Sequence, residues 1–328
     1  MSEEKKVKTD SSKENKLIQE RRKKLKELRG EGFDFPNSFR RSALTGDLQA
    51  IYAEYTNDSL EEVKINASVA GRVISHRIMG KVSFLTIQDR SGQLQIFLQR
   101  DQLGVETYQA TKKWDLGDII WAKGQLFRTK TGELSLRSAS ASLLTKSLRP
   151  LPEKFHGLQD QEIRSRKRYL DLIVNQDSRE VFLTRIKIVK FLRSYLDSFD
   201  FLEVETPMMQ PIPGGAVARP FVTHHNALDR EFYLRIAPEL YLKRLIVGGF
   251  ERVYEINRSF RNEGLSNRHN PEFTMLELYL AYSDENELIN LLENMLRSLA
   301  ETLFGGYVVN YQGSEYDLSK PFEKLTVE

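Results

Sequence analysis

Five short apolar or alternating stretches follow one another in fewer than 90 residues, between Val63 and Leu148. They are VKINASVAGRVISHRI, KVSFLTIQD, GQLQIFLQ, DIIWAKGQLFRT and ELSLRSASASLL, with turn signals at Ser91-Gly92 and at Lys130-Thr131-Gly132. A longer connection, RDQLGVETYQATKKW, joins the third stretch to the fourth. So many strands in so little chain bury their apolar faces best by closing on themselves. We therefore predict a small closed five-stranded barrel of the OB type.

Barrels of this type commonly bind single-stranded nucleic acid through stacked aromatic rings and polar side chains. The candidates here are His76, Arg77, Phe84, Gln95 and Glu133. Taken alone, Phe84 is better explained as a core residue than as a stacking platform. The barrel by itself therefore leaves the function open.

The first 30 residues carry eleven Lys or Arg against six Asp or Glu, although the whole chain has a net charge of only +3. Leu17, Ile18, Leu25 and Leu28 recur at roughly helical spacing, and Gly30 is a plausible end. Such a basic helix is explained either by a solvated face or by contact with a polyanion such as nucleic acid. Both explanations stay open at this point.

Other features exclude whole classes of protein. There is no run of 18 or more apolar residues and no apolar segment near the N-terminus, so neither a membrane span nor a secretory signal is expected. The absence of cysteine excludes disulfides and thiolate metal sites, and it agrees with a reducing compartment. A cytoplasmic protein that does not bind membranes is expected.

The second half of the chain mixes helices and strands. Residues 149–179, with two prolines near their start and a dense run of charges, are predicted to be a linker that leads into a helix. Apolar residues from Phe182 to Leu196 have helical spacing, and FLEVETPMM is predicted to be a strand that ends at Pro207. A loop with Gly214 and Gly215 follows, then a short helix that starts at Glu239, then a strand from about Arg252.

Two strands near residues 252–280 each combine an apolar face with a chemically specific one. The first puts Tyr254, Ile256 and Phe260 on one side and Glu255, Asn257, Ser259, Arg261 and Glu263 on the other; the second puts Leu276, Leu278 and Leu280 opposite Phe273, Met275, Glu277 and Tyr279. A hairpin can carry charges on a wet face with no function. Glu277, however, lies among aromatic and thioether groups, where a carboxylate needs a cationic partner.

At these residues the sequence resembles the bacterial-type class II lysyl-tRNA synthetases, from about residue 15 to the last residue. FRNEG followed by RHNPEFTMLELY is similar to the second signature of that family, and FLEVETPMM is similar to the first. IPGGAVARPF, APELYLKRL and KFHGLQDQE resemble segments specific to the family. Asp200 stands where the first signature usually has Gly, so a different turn before that strand is expected.

The resemblance implies an α+β multidomain fold, with an N-terminal OB-type barrel before an incomplete class II antiparallel sheet flanked by helices. The expected domains are a basic helical extension at 1–62, an anticodon-binding barrel at 63–148, a linker at 149–179 and the N-terminal portion of the catalytic domain at 180–328. The third class II signature and the family's metal-binding acidic residues are missing from the sequence, so no metal site is expected within this chain.

The resemblance also assigns roles to single residues. It implies that Arg261 is catalytic and contacts both ATP and lysine, that Glu263, Arg268, His269, Asn270 and Phe273 bind ATP, that Gly215, Glu239, Glu277 and Tyr279 bind lysine, and that Arg77, Phe84, Gln95 and Glu133 bind the anticodon. The implied activity is lysine–tRNA ligation with ATP and Mg²⁺, on L-lysine and tRNA(Lys), in a homodimer. An RNA-binding regulator without catalysis, built from the same parts, is the alternative.

Overall fold

The structure is a computed structural model that describes residues 3–152, 158, 160–264, 266 and 269–326, with side chains from residue 16 onward. The chain divides into two compact units, Met1–Asn175 and Gln176–Glu328. Among the described helices, none is both long and apolar enough to cross a membrane.

The first unit is built around a closed five-stranded barrel, as predicted. Its elements are α1 (Glu3–Gly30), α2 (Thr45–Ile51), α3 (Asn57–Val63), β1 (Asn66–Met79), β2 (Val82–Gln88), β3 (Gln93–Gln99), α4 (Arg100–Leu103), α5 (Val105–Lys112), β4 (Ile119–Arg128), β5 (Leu134–Thr145), α6 (Gln161–Arg166) and α7 (Arg168–Val174). The strands close in the order β1-β2-β3-β5-β4. The long connection between the third and fourth strands forms α4 and α5.

Phe84 lies on the outside of this barrel, which corrects its assignment to the core. In β2 the buried residues are Ser83, Leu85 and Ile87, so the side chains between them point outward. Phe84 is one of these outward residues and is half-buried. A strict period of two therefore excludes it from the barrel interior.

The residues before the barrel contribute to the same core. Leu48 of α2 and Leu60 of α3 belong to the buried cluster inside and around the barrel. Arg21 of α1 donates from Nη1 to the carbonyls of Ser147 and Arg149 at 3.3 and 3.0 Å. Parts of residues 1–62, among them Arg21, Leu48 and Leu60, thus pack against the barrel unit, while the finer boundaries predicted for the extension and the linker stay predictions.

The second unit contains α8 (Gln176–Asp197), β6 (Leu202–Glu203), β7 (Met209–Gln210), β8 (Val222–His225), a 3-10 turn (Asn226–Leu228), β9 (Arg230–Leu234), α9 (Glu239–Val247), β10 (Arg252–Phe260), β11 (Glu272–Leu280), α10 (Glu285–Phe304), β12 (Val308–Tyr311) and β13 (Ser314–Asp317). One sheet has the order β11-β10-β6, a second has the order β7-β9-β8, and β12 and β13 form a hairpin. β10 pairs antiparallel with β11 and parallel with β6.

FLEVETPMM forms a strand before Pro207, as predicted, but that strand is much shorter than the segment, and the last residue, Met209, belongs to a second sheet. β6 covers only two of its residues, and β7 begins after Pro207, which has no N–H to donate to a ladder. The turn before β6 keeps the conformation that glycine favours: Asp200 has φ of 61°. Asp200 N donates to Asp197 O at 3.1 Å and Phe201 N donates to Leu196 O at 3.1 Å, a Schellman end to α8 that Asp tolerates.

The two faces predicted for β10 and β11 agree with the observed register. Tyr254 lies opposite Leu278 and Ile256 opposite Leu276, and these residues pack with Leu196 and Phe201 in the core of the second unit. On the other face, Glu255 is paired with Glu277, Asn257 with Met275, and Ser259 with Phe273. The sheet thereby presents a floor of polar and aromatic groups away from the core.

Candidate functional site

The polar face of β10 and β11 carries two carboxylates directly opposite each other, Glu255 and Glu277. Glu255 is buried, with 1% of its surface exposed, whereas Glu277 is half-buried. Burial raises the pKa of Glu277, and the negative charges of Glu239 and Glu255 raise it further. A hydrogen bond from the Tyr279 hydroxyl at 3.4 Å and the positive charge of Arg235 act in the opposite direction.

A buried ion pair neutralises Glu255 but not Glu277. Arg235, at the end of β9, is fully buried and donates from Nη1 to Glu255 Oε1 at 2.7 Å. Thr206 adds hydrogen bonds to both partners: its hydroxyl donates to Glu255 Oε2 at 2.6 Å and accepts from Arg235 Nη1 at 3.0 Å. Glu277 has no ion-pair partner within 4 Å among the described residues. A cationic ligand group placed beside Glu277 would therefore meet an uncompensated carboxylate.

Gly215 and Glu239, predicted to act together, lie in direct contact. Gly215 has φ of +88°, and a Cβ built on it would lie 2.8 Å from Glu239 Cβ and 3.4 Å from Glu239 Oε2. Glycine is needed here both for its backbone conformation and for the close approach. Glu239, in the first turn of α9, also accepts a hydrogen bond from Lys243 Nζ at 2.7 Å. An ammonium group bound there would share this carboxylate with Lys243.

Arg261 and Phe273 also lie together, as the predicted ATP site requires. Arg261 Cζ lies 5.1 Å from the centroid of the Phe273 ring. Arg261 Nε is buried and has no hydrogen-bond partner in the described part of the chain. An unused, buried guanidinium donor suits a phosphate or carboxylate oxygen. Because Arg261 covers one face of the ring, a stacked base would take the other face or displace the guanidinium.

The remaining ATP candidates are in the segment between β10 and β11. Glu263, His269 and Asn270 are exposed, and His269 Nδ1 forms a 2.7 Å hydrogen bond with the Ser266 hydroxyl. Arg268 lies outside the described residues. Glu263 N donates to Arg261 O at 3.0 Å. Among the described residues no side-chain contact joins Glu263 or Asn270 to Arg261 or Phe273, so their assignment to ATP binding stays a prediction.

In the first unit, all four predicted anticodon residues line one cleft of about 460 Å³. They are Arg77, Phe84, Gln95 and Glu133. Gln95 Nε2 donates to Glu133 Oε2 at 2.8 Å, and Gln95 Oε1 accepts from the Ser135 hydroxyl at 3.0 Å, so the amide orientation is fixed. His76 does not line this cleft; burial lowers its pKa. The cleft thus offers fixed polar groups beside an aromatic ring.

Three aromatic rings form one wall of this cleft. Phe97 lies 5.0 Å from Phe84 and 5.7 Å from Phe127 between ring centroids, and Arg137 Cζ lies 4.6 Å from the Phe127 ring. Phe97 and Phe127 were not among the predicted candidates. Their outward positions in alternating strands would have identified them together with Phe84.

Comparison with known proteins gives a family match both for the barrel and for the part of the chain that contains β10 and β11. Residues 160–328 match the family model of class II tRNA synthetases (D, K and N). The chain belongs to this family. Residues 67–144 match a model of OB-fold nucleic acid binding domains.

Curated relatives of this class II synthetase chain include three named lysine–tRNA ligase. The protein of Methylobacillus flagellatus is 58% identical over 314 residues, which cover 96% of this chain and 62% of the relative. That of Yersinia enterocolitica is 57% identical over 330 residues, which cover 100% of this chain and 65% of the relative. That of Thioalkalivibrio sulfidiphilus is 58% identical over 315 residues, which cover 96% of this chain and 63% of the relative. The chain thus spans less than two thirds of the length of these relatives.

The sequence did not indicate the largest fully buried polar side chain of the class II synthetase unit, that of Arg235. Arg235 ends a strand that was not predicted, and its partner Glu255 was placed only on a polar face. Arg235 and Glu255 each lie within an apolar stretch of sequence, and that pattern could have suggested a buried pair. Whether the two residues pair with each other, however, depends on how β9 and β10 meet. Phe260 N donates to Arg235 O at 2.9 Å at that junction.

Proposed function

We propose that this chain is part of a lysine–tRNA ligase, which activates L-lysine with ATP and transfers it to the 3′ end of tRNA(Lys). One observation carries the choice of amino acid: Glu277 has no ion-pair partner among the described residues, and the charges of Glu239 and Glu255 are close enough to raise its pKa. A surplus of negative charge in a partly buried site favours a ligand with an extra ammonium group and disfavours aspartate or glutamate. The identity to curated lysine–tRNA ligases supports the same choice.

In this proposal the substrate lies across the floor of β10 and β11. Its side-chain ammonium binds Glu277 and the Tyr279 hydroxyl, and its α-ammonium binds Glu239 and the Gly215 carbonyl. Its carboxylate lies towards Arg261, which also contacts the α-phosphate of ATP. A guanidinium between the two anions reduces their repulsion as the carboxylate attacks phosphorus, with pyrophosphate as the leaving group. This step requires positioning and charge stabilisation but no general base.

The remaining ATP groups are assigned by the same proposal. Adenine stacks on Phe273 and donates from its amino group to Glu263, while Arg268, His269 and Asn270 hold the outer phosphates. Mg²⁺ is expected with ATP. No cluster of three or more His, Asp or Glu side chains that could hold a metal occurs among the described residues, and no step is assigned to Mg²⁺ through them.

The barrel is proposed to bind the anticodon of tRNA. Phe84 would stack on a base while Arg77, Gln95 and Glu133 contact base edges, because unpaired RNA bases are recognised by stacking and by their hydrogen-bonding edges. The basic helix α1 would contact the phosphate backbone. The fixed Gln95 amide and the cluster of aromatic rings support this assignment.

A homodimer in the cytoplasm completes the proposal. α8 exposes several apolar side chains: Val181, Phe182, Leu183 and Ile186 have 68, 40, 38 and 63% of their surface accessible. A face of this kind on one helix is typical of a protein interface. It lies in the segment that forms the dimer interface in the family that the sequence resembles.

The decisive experiment is ATP–pyrophosphate exchange on the 328-residue chain with lysine, and with aspartate and asparagine as controls, alongside calorimetry of lysine binding. We expect exchange with lysine alone, lost in Glu277→Gln and kept in Glu272→Gln, which removes an exposed carboxylate from the same strand. The absence of both exchange and lysine binding in a folded chain would refute the proposal. Retained tRNA binding in that case would favour the RNA-binding alternative.

A further inference from the structure

A cavity of about 650 Å³ in the barrel unit has no assigned role. Its wall combines the aromatic pair Phe39 and Trp121 with the basic residues Arg40 and Lys123. It shares no lining residue with the predicted anticodon cleft. Its volume falls within the range of about 300–1,000 Å³ that is typical of small-ligand sites.

Trp121 lines this cavity and is half-buried, so part of its ring is accessible to a ligand. Its Nε1 is buried and has no hydrogen-bond acceptor among the described residues, although buried indole N–H groups usually have one. Phe39 packs on Trp121 with ring centroids 5.1 Å apart. The neighbours of Trp121 across β1 and β5 are Ala70 and Ser142, which are too small to cover the rest of the ring.

The wall opposite β4 is already ordered by hydrogen bonds. The Ser68 hydroxyl donates to the Arg40 carbonyl at 3.0 Å, and Ser42 N donates to the Ser68 carbonyl at 2.9 Å, so the segment 40–42 is fastened to β1. Arg40 Nη1 donates to the Asn37 and Phe39 carbonyls at 2.8 and 2.7 Å. The cavity therefore exists without a ligand, and binding need not order the segment.

The charge of the cavity selects the ligand class. Its described lining residues include two cations, Arg40 and Lys123, and no carboxylate. A suitable ligand thus needs a flat π-system for the indole and a negative charge for the cations. A nucleotide supplies both, through the face of the base and its phosphate.

We propose that this cavity binds one nucleotide, with its base on Trp121 and its phosphate between Arg40 and Lys123. The nucleotide comes either from free nucleoside monophosphate or from an unpaired position in RNA. The second source has a geometric route: Trp121 lies on the same outer face of β4 as Phe127 of the anticodon cleft, six residues and about 20 Å along the strand. The inference concerns the barrel alone and holds independently of lysine activation.

Indole NMR tests this directly, because the chain has only two tryptophans, Trp114 and Trp121. Trp121→Phe assigns their two ¹⁵N–¹H signals in the full chain. Titration with AMP and, separately, with a single-stranded RNA oligonucleotide should shift the Trp121 signal and leave that of Trp114 in place. A shift with AMP alone shows that free nucleotide suffices, and a shift with RNA alone shows that the strand is required; both support the site.

Variants separate this cavity from the cleft. Trp121→Ala should weaken binding to the cavity about tenfold to a hundredfold, as loss of a stacking ring does, with the Trp114 signal as the check on folding. Arg40→Gln with Lys123→Gln should also weaken it and reduce its salt dependence. Phe84→Ala, which alters only the cleft, should leave the Trp121 shift intact. The proposal would be overturned if neither probe moved the Trp121 signal. It would also be overturned if removal of the two charges left the shift unchanged, or if Phe84→Ala abolished it.

Discussion

Replacement of Arg235 by methionine tests whether the buried ion pair supports the floor of the proposed lysine site. Arg235 donates to Glu255 Oε1 at 2.7 Å, to the Thr206 hydroxyl at 3.0 Å and to the Arg258 carbonyl at 2.8 Å. Methionine fills much of the same space but leaves the Glu255 carboxylate buried without its cation. Removal of one partner of a buried pair costs about 3–5 kcal/mol. We expect the free energy of unfolding of the second unit to fall by that amount.

The assay must separate the two units, and the sequence provides the means. Both tryptophans lie in the first unit, so tryptophan fluorescence during urea unfolding follows that unit and should not change. Hydrogen exchange at the amides of β10 and β11, measured by mass spectrometry, reports on the second unit. Arg193→Met is the matched control, because Arg193 pairs with Glu203 at 2.9 Å on the surface and such pairs contribute about 0–1 kcal/mol.

The double variant Arg235→Met with Glu255→Gln completes the test. It removes the uncompensated charge and should recover part of the loss, since the penalty arises from the buried carboxylate rather than from the missing contacts. A loss in Arg235→Met no larger than that in Arg193→Met would refute the reasoning. So would a double variant that is at least as unstable as the single one.

Three further predictions follow from the site and the barrel. Between pH of about 4.5 and the raised pKa, the native state holds a proton on Glu277 that the unfolded state has lost, so the free energy of unfolding should fall as pH rises through this interval. Lysine affinity should rise over the same interval, because the carboxylate becomes ionised. Urea titration and calorimetry across pH should show that Glu277→Gln loses both dependences. Gly215→Ala should weaken lysine binding at least tenfold in the same calorimetric assay, because it would displace Glu239. Gly249→Ala is the control: Gly249 has φ of +100° and open space for a Cβ, so this change should cost only about 1 kcal/mol of backbone strain and leave lysine affinity unchanged. Gly124→Ala should lower the urea concentration at which the barrel unfolds, measured by tryptophan fluorescence, because its Cβ would overlap the Arg137 carbonyl oxygen in β5. Gly132→Ala, in the open turn, should shift the transition far less.

Local periodicity explains which parts of the fold could be predicted. The two faces of β10 and β11 follow from alternation within each strand, and the observed pairing of Glu255 with Glu277 keeps those faces intact. The same alternation places Phe84 outside the barrel, yet the residue type alone favoured the core. Which side chains of β2 are buried is decided by the two-residue alternation along the strand rather than by the hydrophobicity of one side chain.

Contacts between distant segments explain what could not be predicted. The start of the first signature pairs with β10 through β6, whereas its last residue, Met209, begins β7, which pairs with β9. Neither partner is recognisable from the nine residues of FLEVETPMM. The Arg235–Glu255 pair likewise exists only once β9 and β10 lie side by side, and Thr206 joins it from a third segment.

Charge balance connects these buried contacts with the proposed choice of substrate. Three carboxylates, Glu239, Glu255 and Glu277, act on one another, and two cations accompany them: Arg235 is paired with Glu255 and Lys243 with Glu239. Among these groups Glu277 is left without a cation, and burial makes its ionised form costly in the free site. A bound ammonium group removes that cost, so the same imbalance that raises the pKa of Glu277 favours lysine over neutral or acidic amino acids. If Arg235 were lost, Glu255 would add its full negative charge to the site and raise that pKa further, which would leave more of Glu277 protonated when lysine arrives.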